Sequence, residues 1–256
     1  MKKISFNIIY WDGFDSESRF LNLKFCIKSI VNFCNYAANK GLDIKLFIFD
    51  FSESKLIDDA IHIPYPNSEF KKSEKINKVI EYNHLQYNPD IFCYLDNDIV
   101  FLENEYDHMI ENLISMDNFG ENSILNNDVL EILNPENVDH NHFQLYFPIN
   151  VNIKSIRGCG PFYFIPFKKL FEMGGYDERF TVWGGEDDDM YERLVKSGCH
   201  MHKTNMQLFH LPHKSMMSDA HKTPQYYRQC DLIGNNDIIT KFSLITKKYL
   251  NNEILT

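Results

Sequence analysis

The chain has 256 residues, of which 44% are hydrophobic and 24% are charged, so it can build a packed core and is not compositionally disordered. Its formal net charge of −10, from 26 basic and 36 acidic residues, argues against nucleic acid or an anionic membrane as the main partner. No apolar run approaches the roughly 18 residues of a membrane span, and the six cysteines form no CxxC pair. These features favour a cytoplasmic α/β protein with reduced cysteines.

The first half of the chain alternates strand-like and helix-like segments. Ser16–Ala38 has apolar residues at helical spacing, whereas Ile44–Phe49 and Ile91–Leu95 are near-continuous apolar runs, typical of strands buried on both faces. The predicted order is strand Ile4–Tyr10, helix Ser16–Ala38, strand Ile44–Phe49, helix Ser54–Ala60, strand Ile61–Ile63, helix Lys72–Tyr82 and strand Ile91–Leu95. This alternation predicts a parallel sheet, and ligands gather at the carboxyl ends of parallel strands, where Asp50 and Asp96 lie.

The second half is less regular. Asn118–Asn150 is polar, rich in asparagine and without clear periodicity, which predicts a long irregular connection. The predicted elements that follow are strand Phe162–Ile165, helix Phe167–Glu172, helix Glu186–Ser197, strands His200–Lys203 and Gln207–Phe209, and a helix after Pro224. Since no repeat and no linker divides the chain, we predict one domain over residues 1–256.

Asp96-Asn97-Asp98 directly follows a predicted buried strand. Two carboxylates at positions i and i+2 can hold a divalent cation that bridges a diphosphate. A protein of strongly negative charge would need such a cation to bind a phosphorylated substrate. The alternative, a solvated turn between two strands, is common for an arbitrary D-x-D match, but the position at the sheet edge favours a site.

The segment Trp183–Asp189 places a tryptophan, two glycines (Gly184 and Gly185) and four consecutive acidic residues at the start of a predicted helix. Acidic residues favour the positive end of a helix, so capping is the simpler explanation. Capping needs one or two carboxylates, however, and four adjacent like charges repel each other. Glycines allow close approach to a ligand, and tryptophan offers a face for a sugar ring. The segment therefore predicts a sugar site with a carboxylate that accepts a hydroxyl proton.

His210-Leu211-Pro212-His213 places two imidazoles three residues apart, just beyond a predicted strand. Together with Asp98 they would form a mixed nitrogen and oxygen shell suited to Mn²⁺ or a similar ion. The chain has ten histidines, so a chance pair of surface or core histidines is the alternative.

The segment from Met173 to Asp189 resembles the acceptor-site signature of GT-A fold glycosyltransferases, above all the β-1,4-galactosyltransferases and bacterial chondroitin-polymerase-type enzymes. The resemblance implies an α/β, Rossmann-like fold with a mostly parallel central sheet flanked by helices and an irregular C-terminal acceptor-binding half. It also implies a nucleotide-sugar-binding half at residues 1–102 and an acceptor and catalytic half at residues 151–256.

The resemblance assigns roles to individual residues. Asp187 matches the catalytic base and Glu186 the acid that holds the acceptor. Asp98 and His213 match metal ligands, and His210 stands where the galactosyltransferases have a ligating methionine. The implied acceptor contacts are Trp183, Gly184, Gly185, Glu186 and Asp187, and the implied donor contacts are Arg19, Asp50, Lys72, Asn77, Asp96 and Asp98.

The function implied is inverting, metal-dependent transfer of a hexose or N-acetylhexosamine from a UDP-sugar to a hydroxyl of a glycan or glycolipid acceptor. The expected cofactor is Mn²⁺, with Mg²⁺ or another divalent cation as alternatives. The expected setting is synthesis of a bacterial-type surface polysaccharide or lipooligosaccharide in the cytoplasm, with peripheral association at the inner face of the membrane left open.

Two other classes remain open on the residues alone. A metal-dependent nucleotidyltransferase or hydrolase of nucleotide sugars could use the same acidic pair and histidines but would not need the Trp183–Asp189 segment. A non-catalytic carbohydrate-binding protein could use that segment but would tolerate the loss of Asp98.

Overall fold

The computed structural model describes residues 2–11, 16–52, 60–65, 71–119, 122–126, 129–132, 138–142, 144–145, 153–156, 162–182, 184–204, 206–213 and 223–234. The strands are β1 Lys3–Tyr10, β2 Asp43–Asp50, β3 Ile61–Pro64, β4 Ile91–Leu95, β5 Ile99–Phe101, β6 Ser123–Asn126, β7 Val129–Ile132, β8 Val138–Asp139, β9 Gln144–Leu145, β10 Ile153–Ile156, β11 Phe162–Pro166, β12 His200–Lys203 and β13 Leu208–His210. The helices are α1 Ser16–Ala38, α2 Lys72–Gln86, α3 Tyr106–Phe119, α4 Phe167–Glu172, α5 Glu186–Lys196 and α6 Pro224–Cys230, with a 3₁₀ turn at Glu103–Glu105.

A seven-stranded sheet forms the centre of the fold, in the order β12-β6-β11-β4-β1-β2-β3. Strands β4, β1, β2 and β3 are mutually parallel, as the alternating first half predicts. Strand β11 is antiparallel to both of its neighbours, β4 and β6, while β12 is parallel to β6. The prediction of a mixed α/β fold with a mostly parallel central sheet is therefore confirmed.

The two faces of this sheet are covered by different helices because side chains alternate along each strand. On one face, Phe6 of β1 lies among the aromatic rings of Phe33, Phe101 and Phe164, each in an edge-to-face arrangement. That cluster also contains apolar residues of α1 and α3. The opposite face packs against α2, α4 and α5. The sheet is thus buried on both sides, and its polar strand ends are left to form a site.

Helix α2 is fixed to the rest of the fold at two points. Near its C-terminal end, the Asn83 amide donates to Asn7 Oδ1 on β1 at 2.7 Å. In its second turn, Asn77 bonds to the main chain of Tyr176, which lies between α4 and α5. Because both anchors are buried, the first residue of the helix, Lys72, has a fixed direction of approach to the strand ends.

A second, four-stranded sheet has the order β10-β7-β13-β5. Its strand β13 runs antiparallel to β5, with His210 opposite Ile99. This pairing places the end of β13 beside the turn that follows β4, so that His210 meets Asp98.

Several sequence-based boundaries differ from the structure. The prediction of an irregular connection over Asn118–Asn150 is wrong where the structure describes it, because β6, β7, β8 and β9 lie there. Strands β6 and β7 pair with segments that follow much later in the chain, so no local periodicity marks them. Helix α2 runs four residues beyond its predicted end. The helix predicted at Ser54–Ala60 falls almost entirely outside the described residues.

The described cysteines, Cys26, Cys34, Cys93, Cys199 and Cys230, are free thiols. Within the described ranges, none of the helices is both long enough and apolar enough to cross a lipid bilayer.

Candidate active site and metal centre

The predicted site residues meet where β4 ends and where α2 and α5 begin. Asp98 lies in the turn after β4 and is 2% exposed. Lys72 is the first residue of α2, and Glu186 and Asp187 are the first two residues of α5. The site therefore combines strand ends with two helix N-termini, both of which favour negative charge nearby.

Asp98, His210 and His213 form a compact group. His210 Nε2 lies 3.3 Å from Asp98 Oδ1, and His213 Nε2 lies 3.0 Å from Asp98 Oδ2. One candidate ligand atom from each of the three residues lies within 4.8 Å of the other two. The sequence prediction that these residues come together is confirmed, and two imidazoles with a carboxylate suit Mn²⁺ and similar divalent ions.

Two atoms of this group are buried without a hydrogen bond from the part of the chain that the structure describes, namely Asp98 Oδ1 and His210 Nδ1. Burial alone would raise the pKa of Asp98, but His210, His213 and Arg19 together lower it to about 2. A carboxylate that stays ionised, beside imidazoles and with an unsatisfied oxygen, is what a cation requires. The three residues therefore fit a divalent metal ion.

The loop that carries His213 is held by the main chain of Asp98 and by a residue of α1. Leu211 N donates to the Asp98 carbonyl at 2.9 Å. From α1, the Asn22 amide donates to the Pro212 carbonyl at 3.1 Å, and Asn22 Oδ1 lies 2.8 Å from His140 Nε2. The sequence does not point to Asn22, since a single asparagine within an amphipathic helix does not indicate a hydrogen bond to a distant loop.

A second group surrounds the ammonium of Lys72. Lys72 Nζ lies 2.7 Å from Asp187 Oδ2, 3.2 Å from Glu186 Oε1 and 3.9 Å from Asp96 Oδ1. The hydroxyl of Tyr94 donates to Asp96 Oδ1 at 2.8 Å, and that of Tyr176 reaches Asp187 Oδ1 at 3.4 Å. Asp96 belongs to the same turn as Asp98, so this group and the candidate metal group are neighbours.

Burial and the neighbouring charges shift the pKa values of Asp187 and Lys72. Burial raises the pKa of Asp187 well above its ordinary value; Lys72 opposes the change, and Glu186 and Asp96 add to it. Burial would lower the pKa of Lys72, but the surrounding carboxylates raise it well above its ordinary value. A carboxylate of raised pKa in the first turn of a helix is suited to accept a proton.

The four consecutive acids have different surroundings. Glu186 Oε2 accepts from Gly184 N at 2.9 Å, and Asp187 pairs with Lys72. Asp188 is exposed. Asp189 is fully buried, accepts from Arg193 Nε at 2.8 Å and from a main-chain amide of the C-terminal segment, and so has a structural role.

The glycine segment before α5 is shaped by positive φ angles and by a glutamine from α6. Gly184 and Gly185 have φ of 99° and 89°, which side chains with a Cβ rarely adopt. Gln229 donates to the carbonyls of Val182 and Gly184 at 3.0 and 2.5 Å. Trp183, the predicted acceptor-stacking residue, lies outside the described residues.

The remaining predicted donor contacts are spread along the same edge. Asp50 ends β2 and is 1% exposed, with Oδ1 accepting from Ser52 N at 2.9 Å and Oδ2 lying 3.0 Å from His62 Nε2. Arg19, in the first turns of α1, contributes to the low pKa of Asp98. Asn77 bonds to Tyr176 and Glu178 and lies behind the site. That Asp50, Arg19 and Asn77 contact the donor remains a prediction.

Parts of the sequence match known proteins. Residues 143–216 match the family described as the N-terminal domain of galactosyltransferase. An alignment 57 residues long, which covers 19% of this chain, is 42% identical to chondroitin synthase from Escherichia coli and covers 8% of that protein.

Solved structures resemble the whole chain. β1,4-Galactosyltransferase 7 from Drosophila, as a mutant in complex with manganese, UDP-Gal and xylobiose, has a TM-score of 0.55 at 13% identity, over 95% of this chain and 84% of that chain. GalNAc-T7 with UDP, GalNAc and Mn²⁺ has a TM-score of 0.61 at 13% identity, over 100% and 51%. S. aureus TarS in complex with UDP-GlcNAc has a TM-score of 0.63 at 8% identity, over 99% and 72%.

These similarities confirm the GT-A fold and the resemblance to GT-A glycosyltransferases that the sequence predicts. The matched family segment covers part of the chain only, residues 143–216, and includes the glycine segment, the acidic helix start and both histidines of the candidate metal group. It therefore contains most of the residues predicted to bind the acceptor and the metal, and it supports a glycosyltransferase.

Proposed function

We propose that this chain is an inverting, metal-dependent glycosyltransferase that moves a hexose or N-acetylhexosamine from a UDP-sugar to a hydroxyl of a glycan or glycolipid. The observation that carries the proposal is the adjacency of two groups, with Asp96 joining them. Asp187, whose pKa is raised, shares the Lys72 ammonium with Asp96, and Asp96 lies two residues before Asp98 of the group that Asp98, His210 and His213 form.

The residues divide the reaction between them. Asp187 accepts the proton of the acceptor hydroxyl, whose oxygen forms a bond to the anomeric carbon of the donor sugar. The bond from that carbon to the diphosphate breaks, and UDP leaves with the bonding electron pair. Attack from the face opposite UDP inverts the configuration. Glu186, held by Gly184 N, fixes the acceptor beside Asp187.

Asp98, His210 and His213 would hold Mn²⁺ or another divalent cation, which when bound offsets the negative charge on the leaving diphosphate. Arg19 supplies further positive charge on the same side, since it acts on Asp98. These contributions answer the difficulty posed by a net charge of −10, which disfavours binding of a free diphosphate.

Release of UDP tests the reaction class. The chain is incubated with Mn²⁺ and either UDP-Gal, UDP-GlcNAc, UDP-GalNAc or UDP-glucose, with and without a panel of mono- and disaccharides that includes xylobiose. We expect release to require an acceptor and the product to carry the inverted linkage by NMR. Asp187→Asn should lower turnover by about 10²–10⁴-fold while UDP binding in the presence of Mn²⁺ changes little.

Asp188→Asn is the matched control, because Asp188 is the next residue of the same helix and is exposed. We expect it to retain wild-type turnover. Equal losses in both variants would point to a general effect of charge at the helix start, and retention of configuration in the product would exclude Asp187 as a simple base.

The same assay separates the alternatives. Equal UDP or UMP release without acceptor would indicate a hydrolase, and pyrophosphate release from a nucleoside triphosphate would indicate a nucleotidyltransferase. Sugar binding without turnover, unaffected by loss of Asp98, would indicate a binding protein.

As acceptor we propose a bacterial-type surface polysaccharide or lipooligosaccharide assembled at the cytoplasmic face of a membrane.

A further inference from the structure

Lys72 stands in an unusual position for a lysine. It is the first residue of α2, where the aligned peptide dipoles place partial positive charge. Its side chain is 11% exposed, and its ammonium lies within 4 Å of carboxylate oxygens from two separate segments. A cation that is disfavoured by its own helix must be held there by its partners.

The partners carry an excess of negative charge. Three carboxylates, those of Asp96, Glu186 and Asp187, face one ammonium. The shortest of these contacts, 2.7 Å, is made with Oδ2 of Asp187. Among the residues that the structure describes, the other oxygen of Asp187 has only the longer, 3.4 Å contact with the Tyr176 hydroxyl. Lys72 therefore occupies one oxygen of the carboxylate and leaves the other for an incoming hydroxyl.

We propose that Lys72 is a positioning residue for Asp187, one that orients the carboxylate and sets its basicity, in addition to any contact it makes with the donor. This inference rests on the proposed function, in which Asp187 accepts the acceptor proton. Without the ammonium, Asp187 would face Glu186 and Asp96 with no counter-charge in contact, and it would hold its proton more tightly.

Groups from every described neighbouring element bear on this prediction. Those that act on Asp187 or lie next to it are Lys72 of α2, Tyr94 of β4, Asp96 after β4, Tyr176 before α5, and Glu186 and Asp188 of α5. Behind them, Tyr163 of β11 bonds to the Tyr176 hydroxyl, and Tyr226 of α6 interacts with Glu186 and Asp188. Lys72 is the cation of this set, and the others are acids or phenols. Loss of the Lys72 charge must therefore move the pKa of Asp187 upward.

The direct test is a titration of the Asp187 carboxyl by ¹³C NMR in donor-free protein. The signal is assigned by its loss in Asp187→Asn. We expect Lys72→Met to raise the pKa by at least about one unit, since removing a contacting charge at partial burial is worth roughly 1.4 kcal/mol or more. Lys72→Arg keeps the charge and should leave the pKa near the wild-type value.

Turnover gives a second readout. With saturating donor and acceptor, the acid limb of the kcat profile reports the base in the complex. For Lys72→Met we expect this limb to move to higher pH by about one unit, so that kcat falls about tenfold on the acid side of the profile and recovers at higher pH. Lys78→Met is the control, because Lys78 lies on the same helix and pairs with Glu74 at the surface.

The outcomes are distinct. If the Asp187 pKa and the acid limb stay unchanged in Lys72→Met while only the donor KM rises, Lys72 is a donor contact and the inference is overturned. If Lys72→Met does not fold, Lys72→Gln is titrated instead under the same criteria. If the wild type transfers no sugar, the proposed function fails, whereas the NMR titration still decides whether Lys72 controls Asp187.

Discussion

Asn77 and Tyr176 exchange two hydrogen bonds across 99 positions of the chain: Asn77 Nδ2 donates to the Tyr176 carbonyl, and Tyr176 N donates to Asn77 Oδ1, each at 2.8 Å. The asparagine amide thus satisfies both main-chain groups of one buried residue, as a neighbouring strand would. It joins α2, which begins at Lys72, to the segment that leads to Asp187. The two charged partners of the site are consequently held in register by neutral hydrogen bonds behind them.

We expect Asn77→Ala to lower the free energy of unfolding by about 2–3 kcal/mol, because it leaves two buried main-chain groups without partners. Urea denaturation measures this change. Gln86→Ala, an exposed position on the same helix, should change it by less than about 0.5 kcal/mol. An Asn77→Ala protein of full stability but weak UDP binding would instead support the donor contact predicted from the sequence.

The metal group makes a prediction about affinity. Asp98→Asn should weaken Mn²⁺ binding at least about 100-fold, since the ionised ligand is lost while the size is kept. Calorimetric titration with Mn²⁺ alone measures this. Asp139→Asn is the control, because Asp139 also pairs with a histidine, His142 at 2.7 Å, but on the surface. Equal weakening in both variants would place the ion elsewhere.

Acidification should release the same ion. Neutral imidazoles bind metal and protonated ones do not, so Mn²⁺ affinity should fall as the pH is lowered from 8 to 5.5. His213→Ala should flatten this dependence by removing one competing proton. An affinity that stays constant between pH 8 and pH 5.5 would show that histidines are not ligands.

Substitution of Gln229 should change the KM for the acceptor and not the KM for the donor. It donates to the carbonyls of Val182 and Gly184, so Gln229→Ala should loosen the segment before α5. We expect the acceptor KM to rise about tenfold with little change in the donor KM, as loss of about 1–2 kcal/mol of ordering implies. Gln225→Ala, an exposed neighbour on α6 that bonds to the Thr181 hydroxyl, should have a smaller effect. A rise in the donor KM alone would contradict this assignment.

The buried ammonium of Lys75 should make the stability of the protein depend on pH. Its ammonium lies 4.7 Å from the centroid of the Phe51 ring and 5.6 Å from that of Trp11, and burial lowers its pKa from 10.5 to about 8. Between these two values the unfolded chain binds more protons than the folded chain, so stability should rise with pH over this window, by about 1–2 kcal/mol.

Lys75→Met should abolish this rise and should stabilise the protein at neutral pH, because no ammonium then has to be buried. Lys78→Met, one turn further along α2 and partly exposed, should retain most of the rise, because burial lowers the pKa of Lys75 more than the charge of Lys78 does. Thermal or urea unfolding at pH 7, 9 and 10 measures the difference. A wild-type protein whose stability is flat over this range would contradict the lowered pKa of Lys75.

Elements with a local signal were predicted well. Helix α1 and strand β4 have the bounds expected from their apolar spacing, because each pattern is complete within the segment itself. Strands β6 and β7 were not predicted. They are four residues long and are stabilised by partners from later in the chain, so their own residues carry too little periodicity to identify them.

The residue types of the candidate site can be read from the sequence. Asp98, His210 and His213 are identified there from motif and resemblance, as are the acids that begin α5, since the residue types required by a metal and by a base are local properties. Which of these groups pair with one another follows only from the fold. Lys72 reaches Asp187, and Asn22 holds the loop before His213, because packing of α1 and α2 on the sheet brings distant segments within hydrogen-bond range. Such contacts depend on three-dimensional distance, which no spacing along the chain records.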